Sequence, residues 1–389
     1  MRVRARIPQV DPLVMQPPAV CPYDDCQGRF FKPHQLHCVK LVRDTQLDHV
    51  ITNRRRCLSC GRTHRVYPRG VSTGHHSDRL KGFSVLLYIL GISYRGVEDV
   101  LTALGFYLDH TTVYRNVQAA GRTVLELRQR WLQQLTCKVS VAGADLTYLS
   151  CRGETVAVAV MVDADAGIML DVEILGNEET DTLHAWLQPL LDLVGAEVLI
   201  SDDQDGFKSV ADEAGVSHQI CRQHVTRNVL DFVGKTAERV WRSPPPVPEG
   251  LDLSPQQLLE DLETLEWIML GHPESASQIL AELYDRYCHA PAPRKGQRAT
   301  IWYRMRNHIL RLWNHWQRYT CYRQALGHEG LPVDETNNVT ERNIGWNIKD
   351  RYRTMRGYKR EESIINVALL TSWLREEPGG RDMSPLFTS

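Results

Sequence analysis

No stretch of this 389-residue chain comes near the roughly 20 consecutive apolar residues that cross a bilayer, so no membrane-spanning helix is expected. The start, MRVRARIPQVDPLVM, is basic, but it lacks the apolar stretch and small-residue cleavage site of a secretory signal. That predicts a protein kept in the cytoplasm, at the nucleoid if it binds DNA. In a reducing compartment the ten cysteines do not read as a disulfide framework, and clustered ones point to metal ligation. An excess of charge is missing too, the formal net charge being -1. The balance hides segregation. Arg54, Arg55, Arg56, Arg62, Arg65 and Arg69 crowd one early segment, and Arg342, Lys349, Arg351, Arg353, Arg356, Lys359 and Arg360 a late one. Local patches set the field that a phosphate backbone meets.

What is present divides by position. Cys21 and Cys26 form a C-x4-C pair, and Cys57 and Cys60 a C-x2-C pair followed by Gly61. Two such turns joined by strand-like sequence can offer Zn²⁺ four thiolates, the pattern of a structural zinc ribbon; His34, His37 and Cys38 are spare ligands. His64, His75 and His76 read as plain surface residues. Next, Val97, Val100, Leu101 and Leu104 repeat at helical spacing up to Gly105. Asp109 then caps HTTVYRNVQ, with Val113, Val117 and Ala120 inward and Thr111, Tyr114, Arg115 and Gln118 on the opposite face. Helix, glycine turn and helix predict a helix-turn-helix reading DNA; an ordinary helical hairpin is the competing reading.

From residue 138 the pattern turns to strands. KVSVAGADLTYLS, ETVAVAVMVDAD and IMLDVEILG, with short links, imply an antiparallel meander. TDTLHAWLQPLLDLVG, AEVLISDD, GFKSVADEAG, SHQICRQ and HVTRNVLDFV then alternate helix and strand. That order predicts an α/β catalytic core of ribonuclease H-like fold, with a mixed five-stranded sheet, in which the first and fourth strands are neighbours. Asp145 inside the first strand and Asp202 at the end of the fourth can then share divalent cations. Asp163 and Asp165 fit a hairpin turn. Asp203 and Asp205 rival Asp202, and the sequence does not exclude Asp203. Glu341 stands near the start of a later helix, behind Asn337 and Asn338. If that helix persists, Arg342, Lys349, Arg353 and Arg356 share one face and contact phosphate. Three carboxylates suit two Mg²⁺ or Mn²⁺ ions that activate a nucleophile and stabilise the leaving oxygen of an in-line displacement.

GADLTYL around Asp145, LISDDQDGF around Asp202, HQICRQHVTRNV after it and NNVTERNIGWNIKDR around Glu341 resemble the DDE transposases of bacterial insertion sequences, in particular their Mutator-like branch. The resemblance spans roughly 140 to 232 and 334 to 372. It implies catalysis by Asp145, Asp202 and Glu341 with divalent metal, recognition of terminal inverted repeats by the amino-terminal domains, and a C-x2-H motif at Cys221 and His224 that shapes the active site without being a zinc site. It also implies an all-α insertion before the last acid. The expected organisation is a zinc ribbon over 1–70, a helix-turn-helix domain over 71–136, the catalytic core over 137–243 and 331–389, and the insertion over 244–330. Within the insertion, Trp302, Tyr303, Trp313 and Trp316 interleave with Arg298, Arg304, Arg306, Arg311 and Arg318, a place for stacking an unpaired base or simply a helical core. The expected partners are double-stranded DNA, as transposon ends and target, and a second copy of the chain, since two ends must be held together in a homodimer or higher oligomer. The alternatives are a domesticated transposase acting as a sequence-specific regulator and a ribonuclease H-like nuclease.

Overall fold

A computed structural model describes residues 3–135, 138–325, 330 and 332–387. The boundaries drawn at 136/137 and 330/331 fall on or beside residues outside that set. Strands β1 (Ala5–Arg6), β2 (Asp11–Gln16), β3 (Phe31–Leu41), β4 (His49–Cys57) and β5 (Thr63–Arg69) come first, and β2-β5-β4-β3 form an antiparallel four-stranded sheet. Its own apolar core is small: Val10, Val42, Val50 and Val71.

Helices α1 (Asp78–Ile89), α2 (Tyr94–Ala103) and α3 (His110–Gln133) follow. Gly105, at φ 85°, turns the chain after α2, and the Asp109 carboxylate accepts from the Thr111 amide to cap α3. Leu104 is exposed, because α2 has already ended at Ala103 and the residue sits in the turn.

The central sheet has β6 (Val141–Cys151), β7 (Glu154–Asp163), β8 (Ile168–Leu175), β9 (Val198–Ser201) and β10 (Ser217–Ile220) in the order β10-β9-β6-β7-β8. β6, β7 and β8 are antiparallel, whereas β9 runs parallel to both β6 and β10. First and fourth strands are neighbours, as the order of elements predicts, and the sheet fits a ribonuclease H-like core. α4 (Thr180–Val194) and α5 (Asp205–Ala214) cover one face through Leu183, Leu187, Phe207 and Val210. Val158, Val160 and Val162, on alternate positions of β7, face the other way, into a cluster shared with α1–α3 and α12 (Glu361–Arg375). Helices α1–α3 therefore share one buried core with the sheet and the last helix. The Asn366 side-chain amide on α12 donates to Gln118 Oε1 on α3 at 2.9 Å, so an amide pair lies inside this interface.

α6 (Arg222–Arg242) leaves the sheet and carries Val225, Val229 and Phe232 into a separate helical core with α7 (Pro255–Gly271), α8 (Ala276–Tyr287) and α9 (Ile301–Tyr319). The chain then returns as α10 (Asn338–Ile344), one turn of π-helix (Gly345–Lys349) and the short α11 (Asp350–Tyr352). After α12, β11 (Arg381–Asp382) pairs with β1, which ties the two ends of the described chain together. Among the described residues no helix is long and apolar enough to cross a membrane.

Candidate active site and thiolate cluster

Asp145 lies mid-strand in β6, opposite Val160 of β7. Its carboxyl is pushed up to about 7, chiefly by burial and then by the neighbouring Asp202 and Glu341 carboxylates; the Leu146 amide, donating at 2.7 Å, and His224 act against the shift. Asp202 follows β9 directly. His224, on the first turn of α6, brings Nδ1 to 2.7 Å from Asp202 Oδ1 and Nε2 to 3.8 Å from Glu341 Oε1. Ligand atoms of Asp202, Cys221, His224 and Glu341 all lie within 4.8 Å of one another. Asp203 points elsewhere: Lys208 Nζ at 2.6 Å and Arg311 at 2.9 Å hold it against α5 and α9. Of the rival acids, Asp202 is the one that faces His224 and Glu341. Asp205 pairs with Lys208, and Asp163 accepts from the Asp165 and Ala166 amides in the hairpin turn.

Glu341 reaches this cluster because the segment before α10 is stitched to two strand ends. The Arg222 amide donates to the Glu335 carbonyl at 2.9 Å, the Asn337 amide to Cys221 Sγ at 3.4 Å, and the Asn337 side-chain amide to the Ala144 carbonyl at 3.0 Å. Cys221 is buried and serves as acceptor and packing surface. Gly143 permits the approach. A Cβ there would stand 2.1 Å from Thr340 Oγ1 and 3.2 Å from Asn337 Oδ1. Gly143→Ala is therefore expected to push α10 off β6, costing roughly 1–3 kcal/mol of stability and lowering activity together, as read by thermal melts beside a cleavage assay. An unchanged melting point would show that α10 yields easily there.

The donor set fits a hard divalent cation. Glu341 Oε1 is buried without a hydrogen-bond partner, and the Asp202 and Glu341 carboxylates beside Asp145 repel its charged form, a repulsion that a cation would relieve.

The basic face expected after Glu341 is only partly present: Arg342 and Arg353 line one cleft with Glu341, whereas Lys349 and Arg356 do not line it, the chain passing through a π-turn over Gly345–Lys349. Arg356 also lies beyond the end of α11. Arg351 is buried, its guanidinium 4.0 Å from the Tyr88 ring centroid.

On α3, Thr111 and Arg115 are exposed. Gln118 is not free to read a base: it is only 4% exposed, and its side-chain oxygen accepts from the Asn366 amide. Tyr114 is half-buried, with its hydroxyl 3.5 Å from Ser363 Oγ and Arg360 over its ring. The helix is amphipathic on two sides, and a sequence reading that assigns one side to the core cannot see that α12 takes the other.

In the amino-terminal sheet, Cys21, Cys26, Cys57 and Cys60 form one cluster, with Cys21–Cys60 and Cys26–Cys57 sulfur separations of 3.8 Å. Tetrahedral Zn–S bonds of about 2.3 Å put sulfurs about 3.8 Å apart, so the cluster has the size of a zinc site. Arg62, beside Cys60, holds that thiol down at about 6, toward the thiolate a metal requires. His34, His37 and Cys38 lie on β3 outside the cluster and are not alternative ligands in it. Arg54, Arg55 and Arg56 are consecutive on β4 between β3 and β5, so their side chains alternate between the two faces of the ribbon. His64 is buried rather than superficial, edge-on to the Phe31 ring at 4.8 Å.

Of the insertion aromatics, Trp302 is core, its indole N–H donating to the Pro246 carbonyl, and Trp316 is core as well; Trp313 is 38% exposed. The arginines between them are largely engaged: Arg304 lies over Phe232, Arg311 binds Asp203 and Arg318 binds Asp212. Sequence reasoning missed His218. It is buried between Arg318, which donates to Nδ1 at 3.0 Å, and Ser201 Oγ, 2.8 Å from Nε2, so it links α9 to the residue before Asp202. Burial and Arg318 push its imidazole down to about 3, hence neutral. Only its neighbours in space reveal this role.

Residues 73–243 match the family model described as transposase, Mutator family. That match takes in Asp145, Asp202, Cys221 and His224, and Glu341 lies beyond it. A comparison with curated proteins returned no match. Among solved structures, the HTLV-2 integrase catalytic core domain in complex with magnesium aligns in its dimeric and trimeric forms at 16% identity, covering 34% of this chain and 87% and 86% of those chains, each with a TM-score of 0.19.

Proposed function

We propose that this protein is a DNA transposase that binds the terminal inverted repeats of its element and carries out divalent-metal-dependent strand cleavage and strand transfer. The observation that carries the reading is the convergence, within a Mutator-family segment and its continuation, of Asp202, His224 and Glu341 on one another and on the electrostatically coupled Asp145. Asp145, Asp202 and Glu341 would hold the Mg²⁺ or Mn²⁺ ions. Those ions supply the Lewis acidity that activates a water or 3′-hydroxyl and stabilises the leaving oxygen.

The chain's own groups do the rest. His224 fixes the Asp202 carboxylate by its 2.7 Å contact, and Cys221 anchors the turn before Glu341. Arg342 and Arg353 offer guanidinium groups to phosphates beside Glu341. In this reading Thr111 and Arg115 on α3, with Arg54, Arg55 and Arg56 on a zinc-stabilised ribbon, hold the duplex, and two copies of the chain bring two ends together. The domain division is that of the sequence: ribbon, helix-turn-helix segment, interrupted core and helical insertion.

Purified protein with Mg²⁺ and DNA carrying the repeats that flank its gene is expected to give discrete cleaved and joined products, identified by sequencing; binding without any product would favour a domesticated regulator. A second measurement needs no substrate. A carboxyl whose folded value is about 7 against an ordinary 3.8 stabilises the fold only while protonated, so its contribution is complete below about 4 and is lost as pH rises toward 7. Mg²⁺ should therefore raise the melting temperature at pH 8 by roughly 2–5 °C, and by less at pH 5. Equal shifts at both pH values would remove Asp145 from the cation site.

A further inference from the structure

Resting on the reading of this site as one that works on DNA strands, we propose that Trp346 and Gly345 form a seat for a single unpaired base of the substrate strand next to Glu341. Three independent features meet there. First, Asn338, Glu341, Arg342, Gly345, Trp346 and Arg353 line one open cleft, so an aromatic ring shares a wall with a proposed metal-holding acid and two guanidinium groups. The acids beside them are already engaged: Asp350 pairs with Arg353 at 3.1 Å, and Asp334 accepts from the Thr336 amide and hydroxyl.

Second, Trp346 is 38% exposed although it stands mid-helix, and its backbone is held in place, the carbonyl accepting from Arg375 on α12 at 2.5 Å. A turn of π-helix begins at Gly345, beside the ring, and the ring lines the cleft wall together with Glu341. Third, Gly345 is helical, at φ -54°, and a Cβ there would meet nothing within 4 Å. Glycine is among the poorest helix formers, and packing gives no reason for it at this place. A bare floor between Glu341 and Trp346 leaves room for a flat group to approach the backbone. Every base has a π-face, so such a seat accepts an unpaired base without reading its sequence, while Arg342 and Arg353 take the adjoining phosphates.

The test uses the full chain with Ca²⁺ in place of Mg²⁺, and two 25-base-pair probes carrying the repeat, one with a fully paired end and one with its last two pairs mismatched and 2-aminopurine at the terminal position. Wild-type protein should bind the mismatched end more tightly and quench its fluorescence. Trp346→Ala should lose roughly tenfold in affinity for the mismatched end and lose the quenching, with a change of twofold or less on the paired end, and Trp346→Phe should recover most of both. Gly345→Leu, which adds a good helix former in open space, should give the same loss without lowering the melting temperature, and it decides the matter if Trp346→Ala does not fold. Retained preference and quenching in Trp346→Ala and Gly345→Leu would overturn the seat while leaving the transposase reading intact. Failure of wild-type protein to bind either probe would overturn both.

Discussion

Asp145→Asn and Glu341→Gln should each reduce strand cleavage by about a thousandfold or more while leaving affinity for the repeats within a few-fold of wild type. Each substitution keeps the side chain's shape and removes a hard anionic donor, so the loss falls on the chemistry. The two variants differ in a way that checks the geometry. Asp145 is buried among like charges, so its neutral amide should melt at or above the wild-type temperature in metal-free buffer at pH 8, where the native carboxylate is strained. Glu341 is more exposed and its replacement should move stability little. The cation-induced rise in melting temperature should shrink in both. Cleavage at the wild-type rate by either variant would remove that residue from the active site, and loss of DNA binding together with activity would point to a folding defect.

Loss of zinc is the second large effect. Among the described residues the amino-terminal sheet buries a small apolar cluster, Val10, Val42, Val50 and Val71, beside the thiols and the Tyr23 and Phe31 rings around them. So small a core does not hold four strands, and structural Zn²⁺ contributes on the order of 10–16 kcal/mol in domains of this kind. Purified protein should therefore carry about one Zn²⁺ per chain beyond any catalytic cation. Cys57→Ser, or treatment with a strong chelator, should open residues 1–70 to proteolysis and lower affinity for the repeats by about a hundredfold. The helical and central cores, whose fully buried residues all lie beyond residue 70, should stay folded. A zinc-free protein that resists proteolysis and binds DNA normally would show that the four thiols are a packing cluster.

Much of this architecture was legible because its signals are local. Strand alternation and short links mark β6–β8, the SPPPVPEG linker marks where α6 gives way to α7, and cysteine spacing marks the four-thiol cluster. Misreadings arose where a residue has two faces to choose from. Gln118 looked like a base reader because periodicity knows only one core, and α12 supplies a second. His64 looked superficial because nothing nearby in sequence announces Phe31. Lys349 and Arg356 fall outside the cleft lined by Glu341, Arg342 and Arg353, and neither the π-turn over Gly345–Lys349 nor the end of α11 at Tyr352 leaves a mark in the hydrophobic period.

The sequence by itself determined the order of strands and helices, the position of each acid within that order and the grouping of four thiols, since these follow from periods of 2.0 and 3.6 residues and from ligand spacing. Only the tertiary structure decided which of Asp202 and Asp203 turns toward His224 and Glu341, and that Gly143 lets α10 settle on β6. Those outcomes depend on side chains from separate elements, as far apart as Gly143 and Thr340, competing for the same few ångströms, and no local pattern encodes the winner.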